Sequence, residues 1–482
     1  MTRAPDALYL AIDQGGHSTR TLVFDGQGEL IAAAKDHCPV SQPRPHWVEQ
    51  KVDDVLGSVE RALARVMPML GEQRHAVAGA GLATQRSSVA CWDRVNGAPL
   101  SPVISWQDTR AHKWLEQFVA QAPEIERITG LHVSAHYGAS KLRWCLDNVA
   151  AVRAAHAAGR LAWGPLASVL LFRLLHEKPL ATDPANASRT LLWNLSSRDW
   201  DKRLLALFGL PREPLPRCRP SAWPFGTLRY PGGEVPLDLV TGDQSAALFA
   251  FGEPQLDTAY VNVGTGAFVQ RLFRQQPTRV GCYLASMVLQ DGEELTYALE
   301  GTVNGAASAL RWLEREYGLT DVENALPQWL ARAGSPPLFL NGVSGLGSPF
   351  WLADFTPRFI GDGEHWQQAV AVVESIVFLL QLNMDGMREL ATPPREIRIS
   401  GGLAGLDGLC QRLADVSGVQ VYRPAAREAT ARGTAFLVAG RPRSWHEPET
   451  GSRFEPKVNS ALSARYQRWC DAMQAATPAA PS

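Results

Sequence analysis

The chain has 482 residues, 45% of them hydrophobic and 20% charged, the composition of a folded globular protein rather than a disordered one. At ~150 residues per domain its length predicts two to four domains. Lys+Arg at 47 against Asp+Glu at 48 leaves a net charge of −1, which excludes the basic footprint of a nucleic-acid or anionic-membrane binder.

The N-terminus, MTRAPDALYLAIDQGG, has one basic residue and a short apolar run, not a signal-peptide pattern. Leu8 to Ile12 is apolar, Asp13 to Arg20 is Gly-rich and polar, and Thr21 to Phe24 is apolar again. That order predicts a β-hairpin with a tight turn. Apolar spacing predicts a helix over Val52 to Met67, and strands over Ala76 to Ala83 and Val103 to Trp106. The longest apolar stretch, Leu166 to Leu175, is broken by Arg173 and falls far below the ~20 residues of a membrane span. Arg212 to Gly233 is rich in Pro and Gly and reads as a linker. It places a domain boundary at residue 238, giving units 1–238 and 239–445, then a C-terminal extension, 446–482, whose tail Ala475 to Ser482 is expected to fray.

The second half opens with a strand, Leu237 to Val240, then Thr241-Gly242-Asp243-Gln244-Ser245 and a helix from about Ser245. A second hairpin follows, Ala259 to Val263, Gly264-Thr265-Gly266, and Ala267 to Leu272. Further on come a strand at Leu338 to Leu340, a helix over Trp366 to Leu390, and a strand at Ile397 to Ser400. Gly401-Gly402 and a helix from about Leu406 complete the pattern. One hairpin opens each half, and each half alternates strands with helices. The expected architecture is two related α/β domains around a cleft. The seven cysteines include no CxxC pair, which argues for thiols in a reducing compartment, and a cytoplasmic protein is expected.

No Gly-Lys pair, HExxH, GxSxG, HRD or DFG occurs, so P-loop enzymes, zincins, common serine hydrolases and protein kinases are set aside. What remains are two Gly turns whose backbone N–H groups could grip phosphate from both sides. Each alone is equally a plain hairpin. Asp13, beside the first turn, could hold Mg²⁺ directly or through water, or simply cap the turn. Arg20 could neutralise a transferring phosphate; with 40 arginines to 7 lysines, Arg must carry that role. Gly401-Gly402 would let a flat ligand approach the backbone, or a helix pack closely on a strand. Asp243 is either a helix N-cap or a general base accepting a proton from a substrate hydroxyl.

Eleven segments in order extend this reading: AIDQGGHSTRTLVFD, HWVEQ, TQRSSVACWD, ISWQDTRA, TDPANASRT, TGDQSAALFAFG, VNVGTGAF, ALEGTVNGAASALRWL, SGLGSPFW, ISGGLAG and REATARGTAF. Together they resemble the FGGY family of carbohydrate kinases from about Leu8 to Gly440, its glycerol-phosphorylating members most closely. The resemblance implies two actin-like ATPase (ribonuclease H-like) domains, ATP with Mg²⁺, and transfer of the γ-phosphoryl to a hydroxyl of a small polyol or sugar. A small-molecule substrate is then the expected partner, with no nucleic acid or membrane and with a homo-oligomer left open.

By resemblance Asp243 is the catalytic base, Asp13 the Mg²⁺-associated carboxylate, and Arg20 the arginine at the transferring phosphate. Arg86, Ser87, Trp106, Tyr137, Asp243, Gln244 and Phe268 fall on acceptor-binding positions. Gly15, Gly16, His17, Ser18 and Arg20 fall on the first phosphate turn, and Gly264, Thr265 and Gly266 on the second. Ala307, Arg311, Gly401, Gly402 and Leu406 fall on the adenosine pocket. Several of these depart from the family pattern. Ser87 stands where a glutamate follows the acceptor arginine, and Gly16-His17 replace two threonines. Ala307 replaces a glycine, Arg311 a glutamine, and Leu406 the asparagine facing adenine. A further departure is Glu234, after Gly232-Gly233, at or beside an arginine that binds fructose bisphosphate in bacterial relatives. The Ser87 change points to a four- or five-carbon polyol or ketose rather than glycerol, unless Asp108 supplies the missing carboxylate. The rival class is a non-catalytic actin-like switch or sugar sensor.

Overall fold

Two mixed sheets dominate the computed structural model, which describes residues 6–278, 280–332, 334–425, 428–445 and 450–477. The first contains β1 (Leu8–Gln14), β2 (Ser18–Phe24), β3 (Leu30–His37), β4 (Val77–Thr84), β5 (Ala222–Tyr230) and β6 (Gly233–Gly242). Its spatial order is β5-β6-β4-β1-β2-β3. The second contains β7 (Thr258–Val263), β8 (Ala267–Phe273), β9 (Leu284–Asp291), β10 (Glu294–Val303), β11 (Glu396–Ser400), β12 (Gln420–Pro424) and β13 (Gly451–Phe454). Its order is β9-β10-β8-β7-β11-β12-β13.

The two sheets share one plan. Three antiparallel strands, β1-β2-β3 or β7-β8-β10, continue into parallel partners, β4 and β6 or β11 and β12. An antiparallel neighbour closes with a short turn, whereas a parallel one needs a crossover. The helix Val52–Met69 supplies it in the first domain and His365–Gly386 in the second. Both predicted hairpins and both predicted helices therefore sit where this plan requires them.

β1 explains its own unbroken apolar run. Alternate residues point to opposite faces of a strand, so Leu8, Leu10 and Ile12 pack into the core under Val52–Met69. Tyr9 and Ala11 pack on the other side, against a helix from the second half, Ala429–Val438. That helix approaches the short helix Asp243–Ala247 so closely that a Cβ at Gly433 would run into the Ala246 carbonyl oxygen. Only glycine fits there, and the contact fixes Ala429–Val438 against the helix that follows β6.

Several expectations fail. Arg212 to Gly233 is not a linker: its second half is β5 and the turn into β6, an antiparallel pair on the edge of the first sheet. Pro224 is accommodated where the β5 register shifts, between Ala222 and Gly226. Residue 238 lies inside β6, which pairs in parallel with β4, so the first sheet continues to Gly242. Of the extension expected over 446–482, the described residues 450–477 belong to the second domain. β13 completes the second sheet, and the helix Ser460–Ala476 places Leu462, Trp469 and Met473 in the second core. Ala475 and Ala476 end that helix, and 478–482 lie outside the described residues. The helix nearest to membrane-spanning length is His365–Gly386, with 83% of its most apolar window buried inside the protein. It is the central helix of the second core.

A small four-stranded sheet, Glu49–Gln50, Val103–Ile104, Val89–Asp93 and Leu161–Pro165, carries the helix Gly138–Asn148. Its core includes Val89, Ile104 and Tyr137 together with Leu284, Met287 and Tyr297 of the second sheet. The predicted strand at Val103 to Trp106 ends at Ile104, which leaves Trp106 outside the ladder and 40% exposed.

Candidate active site

The first Gly turn joins β1 to β2 and is closed by Gly15 N–H donating to the Ser18 carbonyl at 3.0 Å. A Cβ at Gly16 would meet nothing within 4 Å, so the Gly16 backbone faces open space, and His17 is exposed beside it. Asp13 and Arg20 face each other across this hairpin, with Arg20 Nη1 3.7 Å from Asp13 Oδ2 and 3.2 Å from Glu428 Oε2. Burial pushes the Asp13 carboxyl up to about 7, and Asp243 and Glu428 add repulsion that Arg20 only partly offsets. Carboxylates from both halves of the chain thus converge beside one arginine.

The second turn, Gly264 to Gly266, joins β7 to β8. The start of the helix Ala307–Tyr317 seals its carbonyls: Ala306 N–H and Ser308 N–H donate to Thr265 O, and Ala307 N–H to Gly264 O. Ala307 therefore sits beside the turn, and Arg311 lies one helical turn on, exposed. Gly401 and Gly402 divide the two readings given to them. Gly401 holds φ +96° with its α-carbon against the Val263 backbone, a close-packing glycine, whereas Gly402 faces open space. A short 3₁₀ turn, Gly402–Gly405, separates them from the helix Asp407–Ser417. Leu406 packs into the second core and presents no polar group to a ligand.

Asp243 opens the helix Asp243–Ala247 directly after β6. Its neighbour Gly242 is the N-cap, so Asp243 is not, and its Oδ1 accepts the Gln244 N–H at 2.7 Å. Burial raises its pKa, and Arg86 pulls it back. With Gln244 and Phe268 it lines a cavity of about 160 Å³. Gly242 is needed for Arg86: a Cβ there would strike the Arg86 side-chain carbons. Arg86 lies across that glycine and donates from Nη2 to Gln244 Oε1. Burial and the nearby Arg189 lower the Arg86 pKa to about 10, which leaves it charged at neutral pH. Tyr137 is buried beside Arg86 and Arg189. Arg86, Ser87, Trp106 and Tyr137 do not line the Asp243 cavity; the Trp106 backbone N–H donates to Ser88 Oγ at 3.0 Å.

Ser87 is buried and holds a left-handed φ of +65°. Asp108 does not replace the absent carboxylate. It is fully buried, accepts Arg110 Nη2 at 2.7 Å and the Val48 N–H at 2.7 Å, and has no oxygen free to turn toward Arg86.

Sequence reasoning quoted but did not use two further residues, Arg189 and Glu300. Arg189 Nη2 donates to Glu300 Oε2 at 2.8 Å, and Gln270 Nε2 donates to the same oxygen at 2.8 Å. Their signal was present in TDPANASRT and ALEGT, but neither segment shows by itself which charge is its partner. Only the fold pairs them, across 111 residues. Gln50 and Gln85 were missed likewise. Gln50 Nε2 donates to Gly16 O at 3.0 Å and Gln85 Nε2 to Gln50 Oε1 at 2.9 Å, while Ser88 Oγ donates to Gln85 Oε1 at 3.0 Å.

Two family models cover almost all of this architecture: the N-terminal domain of the FGGY carbohydrate kinases over residues 8–250, and their C-terminal domain over 259–440. The chain belongs to the FGGY family of carbohydrate kinases. The glycerol kinase of Polaromonas naphthalenivorans is 34% identical over 452 residues, covering 89% of this chain and 90% of its own length. The fold matches that of Plasmodium falciparum glycerol kinase solved with ADP, at a TM-score of 0.87 and 21% identity over 98% of this chain and 99% of that one. It also matches a Rhodospirillum rubrum xylulose kinase, at 0.85 and 19% over 97% and 98%. This FGGY protein is thus a carbohydrate kinase of the two-domain actin-like fold, and nothing in these likenesses supports the non-catalytic alternative. The family models meet between residues 250 and 259, beyond the boundary expected at 238.

Proposed function

We propose that this FGGY kinase transfers the γ-phosphoryl of ATP to a primary hydroxyl of a four- or five-carbon polyol or ketose. The observation that carries the choice of acceptor is Ser87. A buried serine follows the acceptor arginine; Asp108 is fully engaged by Arg110 and Val48, and Glu300, whose charge reaches Arg86, is already held by Arg189 and Gln270. The volume and polarity released suit one more hydroxymethyl group. Glycerol is the second reading, favoured by the 34% identity to a glycerol kinase across most of both chains.

Phosphoryl transfer needs in-line positioning, charge neutralisation and exclusion of water rather than covalent help. The open backbones of Gly16 and Gly402 would receive the phosphates and nucleotide, and Arg20 would offset charge on the transferred group. Hard carboxylate oxygens at Asp13, with a second carboxylate at Asp243 close enough to raise its pKa, fit Mg²⁺. Among the described residues no cluster of three or more potential ligands stands ready-made, as suits an ion bound largely through phosphate and water. When bound, Mg²⁺ supplies charge neutralisation between the phosphates. Asp243, with its pKa raised by burial, would accept the acceptor hydroxyl's proton. Arg86, Gln244 and Tyr137 would fix the acceptor's remaining hydroxyls, with Phe268 and Trp106 against its carbon chain.

The test is a phosphorylation screen with ATP over glycerol, erythritol, ribitol, xylulose, ribulose and gluconate. A four- or five-carbon acceptor with the highest kcat/KM supports the proposal. Glycerol in first place overturns the choice of acceptor, and no turnover on any of them overturns the whole reading.

A further inference from the structure

Lys141 stands on the first turn of the helix Gly138–Asn148 and is 1% exposed. Its ammonium donates to three backbone carbonyls: Ser87 at 3.2 Å, Ser105 at 2.7 Å and His136 at 2.6 Å. These belong to three separate segments of the chain. Each is at, or one residue before, a residue assigned above to the acceptor: Arg86-Ser87, Trp106 and Tyr137. We infer that Lys141 is a positioning residue that ties the three acceptor-binding segments together, so that Arg86, Trp106 and Tyr137 keep their spacing before the acceptor arrives. The inference rests on the acceptor-site reading proposed above.

The residue type fits the task. This chain uses 40 arginines and only 7 lysines, yet here it buries a lysine. An ammonium directs three N–H bonds tetrahedrally and accepts none, which matches three converging carbonyls; a planar guanidinium does not. A buried lysine is rare unless every proton is taken, and here all three are. The tie also has something to hold. Ser87 keeps a left-handed φ that a serine adopts only when its surroundings impose it.

The charged groups around it are few. Asp108 attracts the ammonium but is locked by Arg110, which repels it together with His136. Arg86, on the segment that carries Ser87, points away to Gln244. Burial pushes the Lys141 pKa down from 10.5 to about 7. Below that value the ammonium offers three donors. Above it the amine offers two, and one segment is released, so acceptor affinity falls as pH rises. Fold stability moves the other way. The unfolded lysine holds its proton up to about 10.4, so the unfolded state binds more protons from about pH 7 upward and stability rises with pH. A merely structural lysine would show the same stability trend and leave acceptor binding unmoved.

The experiment compares the full-length wild type with Lys141→Met, which keeps the stem and removes the charge. Hydrogen exchange followed by mass spectrometry should show residues 84–90, 103–110 and 133–140 losing protection together in the variant. The acceptor KM should rise about tenfold or more with the KM for ATP unchanged. The wild type's rise in acceptor KM between about pH 6 and about pH 9 should be absent from the variant. Exchange that rises in one segment alone or in none, or a pH dependence shared by both proteins, overturns the inference. Should Lys141→Met fail to fold, wild-type exchange across the same pH range, corrected for the intrinsic rate, decides it alone. Should no acceptor be phosphorylated, the acceptor reading fails while the exchange measurement still judges Lys141.

Discussion

Replacing Ser87 with glutamate tests the acceptor proposal at its root. The side chain is buried, so a new carboxylate would lie in a desolvated space beside Arg86, whose guanidinium stays charged at neutral pH. A hydrogen bond to a charged group in such a site contributes about 1.5–3 kcal/mol, or roughly ten- to a hundredfold in kcat/KM for an acceptor whose hydroxyl reaches it. Glycerol is small enough to remain beside the longer side chain, and a five-carbon acceptor is not. The variant should therefore gain on glycerol by about that factor and lose on the larger acceptor. The charge balance sets a cost. Arg86 and Arg189 face Asp243 and Glu300 in this site, and a fifth charge leaves it with one unbalanced negative, so the melting temperature should fall. Competition kinetics with both acceptors present reads the ratio directly. If glycerol is already the best acceptor of the wild type and Ser87→Glu does not improve it, the reasoning from Ser87 is wrong.

Asp243→Asn should preserve the fold and nucleotide binding, measured by calorimetry, while kcat falls about 10²- to 10⁴-fold; near-normal turnover would remove Asp243 as the base. Glu300→Gln strands Arg189 without its counter-charge and should cost about 3–5 kcal/mol in denaturant unfolding. Arg189 holds the folded Glu300 pKa below its ordinary value of 4.5. Its stabilisation is therefore complete above that value and lost as pH falls through the lower, folded one; the variant should lack this acid limb. Fructose bisphosphate at millimolar concentration should leave the activity unchanged, because by resemblance Glu234, at the start of β6, falls at or beside the position where bacterial relatives carry an arginine. Inhibition that disappears on mutating the β5–β6 turn would contradict this.

The repeated hairpins were legible because the local signals agree: apolar run, Gly turn, apolar run, with strand period and turn chemistry pointing the same way. Arg212 to Gly233 misled for the opposite reason. Pro and Gly there mark an edge strand, where one face of the backbone needs no partner and a register shift absorbs Pro224, and not a break between domains. β13 and the last helix were unreadable as core because their partners, β12 and the helix Asp407–Ser417, lie in other segments of the chain. At the site, residue types with motif spacing stood out, whereas Arg189, Glu300, Gln50 and Lys141 work through contacts that span tens of residues or more.

Those long-range contacts explain how a site made of loops can exclude water. From the first Gly turn, hydrogen bonds run without interruption through Gly16 O, Gln50, Gln85 and Ser88 to the Trp106 N–H. Gln50 and Gln85 are buried, so each bond is made where an unmade one would cost about 1–3 kcal/mol. Moving one end of this relay without the other would break at least one of those bonds. A phosphate drawing the Gly16 backbone inward would carry Gln50 with it and bear on the backbone that presents Trp106, the most exposed of the acceptor residues. Lys141 meets the same wall from the other side, through Ser105 O. The proposed acceptor pocket would thus be braced from the first Gly turn and from the helix Gly138–Asn148 at once. A loss at either brace should appear first as ATP hydrolysis without acceptor, because water then reaches the γ-phosphate that the closed wall would have kept dry.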